Sequence, residues 1–264
     1  MTGSTGLLDT IVAATRASVA CRERSHPLTS SDISRQPNGA GFLEALSSSA
    51  APRIIAECKR RSPSRGILRK AYDAAAHARA YADAGAAAVS VLTEPTFFDG
   101  DPRHLAAARD AISIPILRKD FIVSGYQVIE AAVLGADAIL LIVGALDDDD
   151  LRDLHRAADA LGLAALVEVH DEIELDRALA AGARIVGVNS RNLRTLSVDL
   201  GVTERLAARI PDDVVAVAES GIRSADDLRR LADRGYDAFL IGERLIVEPD
   251  PGAALRALRS AWSA

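Results

Sequence analysis

The chain has 264 residues, of which 49% are hydrophobic and 26% charged, close to the averages of globular proteins. The formal net charge of −6 argues against general nucleic-acid binding or adhesion to an acidic membrane, although a local basic pocket can still hold a small anion. No apolar run approaches the roughly 18 residues that span a bilayer, and no secretory pattern is expected at the N-terminus. The two cysteines, Cys21 and Cys58, form no disulfide framework or ligand pair, so we expect a soluble cytoplasmic protein.

Residues 1–50 precede the first predicted strand. Leu7, Ile11 and Val19 recur at helical spacing, a polar stretch follows, and a second short helix is predicted from Phe42 to Leu46. This segment has too little apolar surface to fold alone. We expect it to be a helical extension that packs on the rest of the chain, over one end.

Short β-rich runs alternate with helical patterns through residues 51–264. Eight such runs begin at Arg53, Ala88, Ile114, Ala138, Leu163, Arg184, Val214 and Ala238. Glycines stand just before every second run, where they end the preceding helix. Alternation of strand and helix predicts a parallel sheet, and eight units in this length predict a single (β/α)8 TIM barrel, of class α/β, that forms the catalytic domain over residues 51–264.

Charged side chains gather where the predicted strands end, which is where barrels of this class carry their active sites. The polar residues at these ends are Glu57, Lys59, Lys119, Glu168, Asn189, Arg191 and Glu219. Side chains alternate along a strand, so Glu57 and Lys59 share a face while Cys58 points among the helices. For any single residue a structural ion pair is an equally good interpretation. Burying the whole set is costly unless function requires it.

Two turns after the last strands suggest a phosphate site. Ser220-Gly221 and Gly242-Glu243 directly follow the seventh and eighth apolar runs. Backbone N–H groups in such turns bind anions, and barrels often hold a phosphate at these two loops. The alternative to a phosphate site is that these two glycines merely permit tight turns.

Several long segments resemble the signature segments of the indole-3-glycerol phosphate synthase family. They are Glu57–Ser64, Leu117–Val123, Ala138–Val143, Leu166–His170, Gly187–Leu193 and Ala218–Ile222, and the similarity extends from about residue 52 to 247. The resemblance implies conversion of 1-(o-carboxyphenylamino)-1-deoxyribulose 5-phosphate to indole-3-glycerol phosphate, carbon dioxide and water. Because the substrate's ring nitrogen supplies the electrons, no metal or coenzyme is expected.

The resemblance also implies roles for the charged residues. Ring closure needs an acid at the ketone oxygen, and dehydration needs an acid and a base. Lys119 resembles the family's general acid, and Glu168 resembles the carboxylate that exchanges a proton in dehydration. Lys59 is implied to bind the substrate carboxylate, and its share in the acid role stays open. Glu57, Asn189 and Glu219 are implied to position the polyol and tune the lysines.

The remaining implied residues bind substrate. They are Ser62, Pro63, Phe98, Phe121, Leu140, Arg191, Ser220, Gly221, Gly242 and Glu243. Pro63, Phe98, Phe121 and Leu140 are implied to hold the aryl ring, with ordinary core packing as the alternative for the last two. Arg191 either contacts substrate or orients Glu57 and its neighbours.

Two other functions are compatible with a phosphate-binding barrel: an isomerase and a non-catalytic sugar-phosphate-binding paralogue. A phosphoribosyl-anthranilate isomerase would use different proton-transfer groups, and a non-catalytic paralogue would lack Lys119 or Glu168. The expected partner is a phosphorylated small molecule, with no nucleic acid or membrane, and we expect a monomer, weak dimerisation being the alternative. The acidic run Asp147–Asp150 is expected at a helix start. Histidines without ligand spacing are expected at the surface: His26, His77, His104, His155 and His170.

Overall fold

Eight parallel strands close into a barrel in chain order, and the last strand pairs with the first. The structure is a computed structural model that describes residues 6–48, 51–191 and 200–263. The strands are β1 (Arg53–Cys58), β2 (Ala88–Leu92), β3 (Ile116–Lys119), β4 (Ala138–Ile142), β5 (Ala164–Val169), β6 (Ile185–Asn189), β7 (Val215–Glu219) and β8 (Ala238–Ile241). The predicted (β/α)8 class is confirmed.

Helices surround the barrel and connect its strands. They are α1 (Leu7–Ser25), α2 (Gly39–Ser47), α3 (Ala74–Asp83), α4 (Pro95–Phe98), α5 (Pro102–Ala111), α6 (Gly125–Val133), α7 (Asp148–Ala160), α8 (Glu172–Ala180), α9 (Leu200–Ala207), α10 (Ala225–Ala232), α11 (Glu243–Ile246) and α12 (Pro251–Trp262). Among the described residues, none of these helices has the length and apolarity needed to cross a membrane. The loop after β1 also contains a small antiparallel hairpin, Arg61–Ser62 with Gly66–Ile67, which the sequence patterns did not predict.

Alternation along the strands divides the apolar residues between two cores. Ile55, Leu117 and Leu166 fill the inside of the barrel, whereas Ile54 and Cys58 lie between the strands and the outer helices. Burial raises the pKa of the Cys58 thiol far above its usual range. A thiol held in its protonated form is a poor nucleophile, so Cys58 is a packing residue.

The two helices of the N-terminal segment lie at opposite ends of the barrel. Phe42 and Leu46 of α2 are fully buried in the inner core, and α2 contacts β5 so closely that a Cβ at Gly39 would overlap the backbone at Ala164. Helix α1 instead contacts α6 and the short 3-10 segment that follows β4. Its Ile11 is buried and contributes to the inner core from the carboxyl end of the strands.

A buried ionic network surrounds the outward-facing Arg118, next to Lys119 on β3. The guanidinium is fully buried and donates to Asp120 at 2.9 Å and to Glu130 of α6 at 2.7 Å. Glu130 also accepts two hydrogen bonds from Arg22 of α1. Through Glu130 of α6, the strand that carries Arg118 and Lys119 is thus connected to the N-terminal helix α1.

Candidate active site

A cavity of about 880 Å³ opens at the carboxyl ends of the strands. Its wall includes all sixteen residues that the sequence placed in a site: Glu57, Lys59, Ser62, Pro63, Phe98, Lys119, Phe121, Leu140, Glu168, Asn189, Arg191, Glu219, Ser220, Gly221, Gly242 and Glu243. The fold therefore brings together side chains as far apart in the chain as Glu57 and Glu243.

Lys119 lies between two carboxylates on the floor of the cavity. Its Nζ is 2.5 Å from Glu219 Oε2 and 3.4 Å from Glu168 Oε2. The two glutamates are each only 1% exposed. Each keeps a second, buried oxygen, Oε1, without a hydrogen-bond partner in the described part of the chain.

The protonation states of this cluster follow from burial and charge together. Burial alone lowers the pKa of Lys119, but attraction by Glu219, Glu168 and Glu57 outweighs it and raises the pKa above its usual value. Burial raises the pKa of Glu219 above its usual value, and repulsion by Glu168 adds to this increase, against the attraction of Lys119. Burial also opposes ionisation of Glu168, yet Lys119 and His170 hold its pKa well below its usual range. The floor therefore places a lysine that favours its charged form between a Glu168 that favours the ionised form and a Glu219 that favours the protonated form, so proton donors stand beside an acceptor.

A second ion pair lies beside this cluster. Lys59 Nζ contacts Glu57 Oε2, and the Glu57 side chain is 3% exposed. The space for Glu57 is provided by Gly242, where an added Cβ would overlap the Glu57 carboxylate. Gly187 on β6 does the same for Glu219. Both glycines are thus needed for room beside a carboxylate.

Asn189 joins the floor of the cavity to the turn after β7. Its Oδ1 accepts hydrogen bonds from the Ser220 hydroxyl at 2.8 Å and from the Arg191 backbone N–H at 3.0 Å. With its oxygen engaged in this way, Asn189 has its amide N–H groups free to face Glu168, and their interaction lowers the pKa of that carboxyl. The last residues of the predicted segment Gly187–Leu193, residues 192 and 193, lie outside the described residues.

An apolar wall faces these charges. The rings of Phe98 and Phe121 lie 6.1 Å apart, and Leu140 lines the same cavity. Phe121 and Leu140 also belong to the inner core, so packing and cavity lining are compatible for both. Leu7 and Ile11 of α1 complete this wall, and sequence reasoning missed them as site residues. Their helical spacing identified a helix, but only the folded chain shows that this helix covers the site.

The turns after β7 and β8 form the other end of the cavity. Ser220 and Gly221 both have positive φ, 64° and 77°, which turns the chain sharply after β7. Glu243 begins α11 and pairs with Arg65 of the first loop at 2.6 Å. Arg244 also lines the cavity, but its guanidinium is held by Glu248 of the same surface.

The expectation that the histidines lie at the surface is wrong for His77, His155 and His170. His77 and His155 are each 7% exposed; the His77 ring stacks on Tyr72, and His155 lines a pocket beside α2. The His170 side chain is 12% exposed and lies 3.4 Å from Glu168. The signal was available in the sequence, because strand alternation places residues 168 and 170 on the same face.

The acidic run at residues 147–150 begins a helix, as predicted. The Asp147 side chain accepts a hydrogen bond from the backbone N–H of Asp150 and caps α7. In residues 6–48, 51–191 and 200–263, no three or more His, Cys, Asp or Glu side chains are grouped so that they can hold a metal ion.

Comparisons with known proteins agree on one family. A family model described as indole-3-glycerol phosphate synthase matches residues 8–258. An indole-3-glycerol phosphate synthase from Nocardioides sp. is 51% identical over 255 residues, covering 95% of this chain and 96% of that protein. Another from Parafrankia sp. is 51% identical over 248 residues, covering 92% and 91%. A solved thiamine phosphate pyrophosphorylase from Pyrococcus furiosus superposes with a TM-score of 0.63 at 17% identity, over 84% of this chain and 98% of that one, which shows the fold alone.

Proposed function

Because the chain belongs to the indole-3-glycerol phosphate synthase family, we propose a division of that family's chemistry among the side chains of its cavity. The enzyme is a carbon–carbon lyase of tryptophan biosynthesis. It closes the ring of 1-(o-carboxyphenylamino)-1-deoxyribulose 5-phosphate and releases carbon dioxide and water. The isomerase and the non-catalytic paralogue are thereby set aside.

The position of Lys119 carries the proposal. Its ammonium group is largely enclosed, and two carboxylates with opposite pKa shifts flank it. In the first step the carboxylated aryl carbon attacks the ketone, and Lys119 protonates the oxygen on which negative charge develops. Such a donor, placed at the reacting atom, contributes about 10²–10⁴-fold to the rate.

Two further steps follow ring closure. Lys59, whose ammonium group is held by Glu57, binds the substrate carboxylate until carbon dioxide leaves. Glu168 then removes a proton as the hydroxyl departs with a proton from an acid, either Lys59 or a Lys119 that has regained a proton from solvent. Glu57, Asn189 and Glu219 position the polyol and set the charge of the lysines.

The substrate's two ends fit the two ends of the cavity. Pro63, Phe98, Phe121 and Leu140 surround the aryl ring, which is apolar on both faces. Backbone amides of the turns that contain Ser220, Gly221, Gly242 and Glu243 bind the phosphate. Ser62 and Arg191 contact the substrate between these ends, or Arg191 orients the carboxylates.

Replacing Glu168 by glutamine tests the proposed base. Glutamine has nearly the same shape but cannot take up a proton, so we expect kcat to fall by about 10²-fold with KM nearly unchanged. The assay follows the appearance of indole fluorescence. Glu44→Gln, an exposed change on α2, is the matched control and should retain wild-type turnover. Wild-type kcat in Glu168→Gln would remove Glu168 from the mechanism.

Gly221→Ala tests the phosphate turns. Inorganic phosphate should raise the melting temperature of the wild type, because a ligand stabilises by RT ln(1 + [L]/Kd), and the increase should be smaller in Gly221→Ala. Gly242 is less informative, since a Cβ there would also displace Glu57.

Gly182→Ala is the control for backbone strain. Gly182 has a φ of 88°, and its missing Cβ would meet open space, so alanine there brings a similar left-handed strain of roughly 1–2 kcal/mol without touching the cavity. It should be destabilised yet keep the full phosphate response. Equal responses in the wild type and Gly221→Ala would mean that this turn is not the anion site.

The proposal also includes the domain organisation, the oligomeric state and the location of the protein. We take residues 51–264 as the catalytic barrel and residues 1–50 as an extension packed on it, acting as a cytoplasmic monomer. Support comes from the site, since a single chain supplies every residue assigned to it. Sedimentation should give the mass of one 27.8 kDa chain at micromolar concentration, and a stable dimer would contradict this.

A further inference from the structure

His170 lies between two carboxylates at the end of β5. Its Nε2 is 3.4 Å from Glu168 Oε1, and its Nδ1 is 3.0 Å from Glu174 Oε2 on α8. The same Glu174 oxygen accepts the backbone N–H of His170 at 2.8 Å. Glu174 lies in the first turn of α8, where its backbone N–H donates a hydrogen bond to the side chain of Asp171. The imidazole ring is therefore fixed from behind, on the side away from the cavity.

Carboxylates on both ring nitrogens favour the doubly protonated ring. A neutral imidazole has one N–H and satisfies only one carboxylate, whereas an imidazolium satisfies both. Burial alone lowers the pKa of His170, but Glu168 and Glu174 outweigh it and raise the pKa to about 10. Nε2 of His170 and Oε1 of Glu168 are both inaccessible to solvent and accept or donate no hydrogen bond in the described residues, so the 3.4 Å ion pair is the contact that each makes.

Glu168 and Glu219 do not have the same charged neighbours. Glu168 faces Lys119 from β3, Asn189 from β6, Glu219 from β7 and His170 from its own strand. The 3-10 segment after β4 and helix α1 bring Gly144 and Leu8 toward Glu174, and neither of these titrates. Lys119 lies between Glu168 and Glu219, whereas His170, which is held from behind by Glu174, contacts Glu168 of these two in the described part of the chain.

The contact between His170 and Glu168 decides which of the two carboxyl groups, Glu168 or Glu219, holds a proton. Glu168 and Glu219 share one lysine, so the protonation of one carboxyl depends on that of the other. During ring closure Lys119 gives its proton to the substrate, so it no longer stabilises a carboxylate. A second, permanent positive charge beside Glu168 leaves that residue ionised and directs the proton to Glu219.

We propose that His170, held by Glu174, is a positioning residue that keeps Glu168 ionised and fixes its Oε1, leaving Oε2 for Lys119 and the substrate. The inference rests on the role proposed above for Glu168 as the base. It extends that role to two residues outside the wall of the cavity.

The variants His170→Asn and Glu174→Gln test the inference through the pH dependence of kcat. Loss of the imidazolium raises the pKa of Glu168, so Glu168 loses its basic form at a higher pH. In His170→Asn we expect the acid limb of the profile to move upward by about one pH unit or more, with KM nearly unchanged. At pH 7, above that limb, kcat should be about tenfold lower because Oε1 of Glu168 is no longer fixed in place. Glu174→Gln should shift the same limb less, and the double variant no further than His170→Asn. His155→Asn is the control, since His155 is also largely enclosed but lies on α7 beside a cavity at the other end of the barrel, and its profile should match the wild type.

Nitrogen-15 NMR of histidine-labelled protein gives a readout that does not depend on activity or on the folding of a variant. The His170 signals should be those of a doubly protonated ring at pH 8. Neutral-ring signals at pH 8, or an unchanged acid limb in His170→Asn, would overturn the inference. If Glu168→Gln abolishes turnover while His170→Asn keeps the wild-type limb, only this inference fails. If Glu168→Gln is fully active, the proposed base itself is wrong.

Discussion

Replacement of Lys119 by alanine is expected to lower kcat by about 10²–10⁴-fold while the chain still folds. Two effects combine. The variant loses the donor at the ketone oxygen, and Glu168 and Glu219 lose the cation that both contact. The pKa of Glu168 rises as a result, so the base is weakened along with the acid. Turnover is measured by indole fluorescence, with circular dichroism on the same sample to establish folding.

Lys119→Arg separates the two effects. Arginine keeps a positive charge beside the carboxylates but does not give up its proton at neutral pH. Turnover should therefore stay low in this variant as well. Recovery in Lys119→Arg would mean that the charge of residue 119 matters and its proton does not. Lys70→Ala removes an exposed lysine from the first loop and should behave as the wild type.

Replacement of Arg118 by methionine should lower the free energy of unfolding by about 3–5 kcal/mol, the usual effect of removing one partner of a buried ion pair. Methionine fills much of the space but leaves Asp120, which is 4% exposed, without its cation. Glu130 keeps Arg22, so most of the loss arises at Asp120. At about 2–4 °C per kcal/mol for a chain of this size, calorimetry would detect the change easily.

Two variants make the Arg118 prediction specific. Arg103 also pairs with an aspartate two residues away, but its side chain is 90% exposed, so Arg103→Met should leave the melting temperature unchanged. In the double variant Arg118→Met/Asp120→Asn the orphaned charge is gone, and much of the stability should return. Equal melting temperatures for Arg118→Met and the wild type would show that the network contributes nothing to the fold.

The barrel was predictable because β-rich runs alternate with helical patterns and one local signal recurs before every second strand. A glycine such as Gly135 or Gly235 ends a helix, and an apolar strand follows after two or three residues. The small hairpin at Arg61–Ile67 was not predictable in this way, since it has only two residues in each strand. The opposite positions of α1 and α2 were also beyond the local pattern, because they depend on which end of the barrel each apolar face fits.

The charged site was predictable from strand ends and resemblance, whereas its supporting contacts were not. Lys119 and Glu168 end strands that point into one cavity, so their proximity follows from the barrel itself. The pairing of His170 with Glu174 needs the helix start to fold back against the strand end. The room that Gly187 provides for Glu219 depends on two strands in register, and no residue pattern along one segment shows it.

A crystal structure with an unreactive substrate analogue, whose ketone is reduced to an alcohol, tests the central claim most directly. The alcohol oxygen stands where the ketone oxygen is protonated. We predict Lys119 Nζ within hydrogen-bond distance of that oxygen. The aryl ring should lie between Phe98 and Leu140, and the phosphate should accept N–H groups of the turns at Gly221 and Gly242. An analogue whose oxygen contacts Lys59 alone, with Lys119 still enclosed between Glu168 and Glu219, would contradict the account.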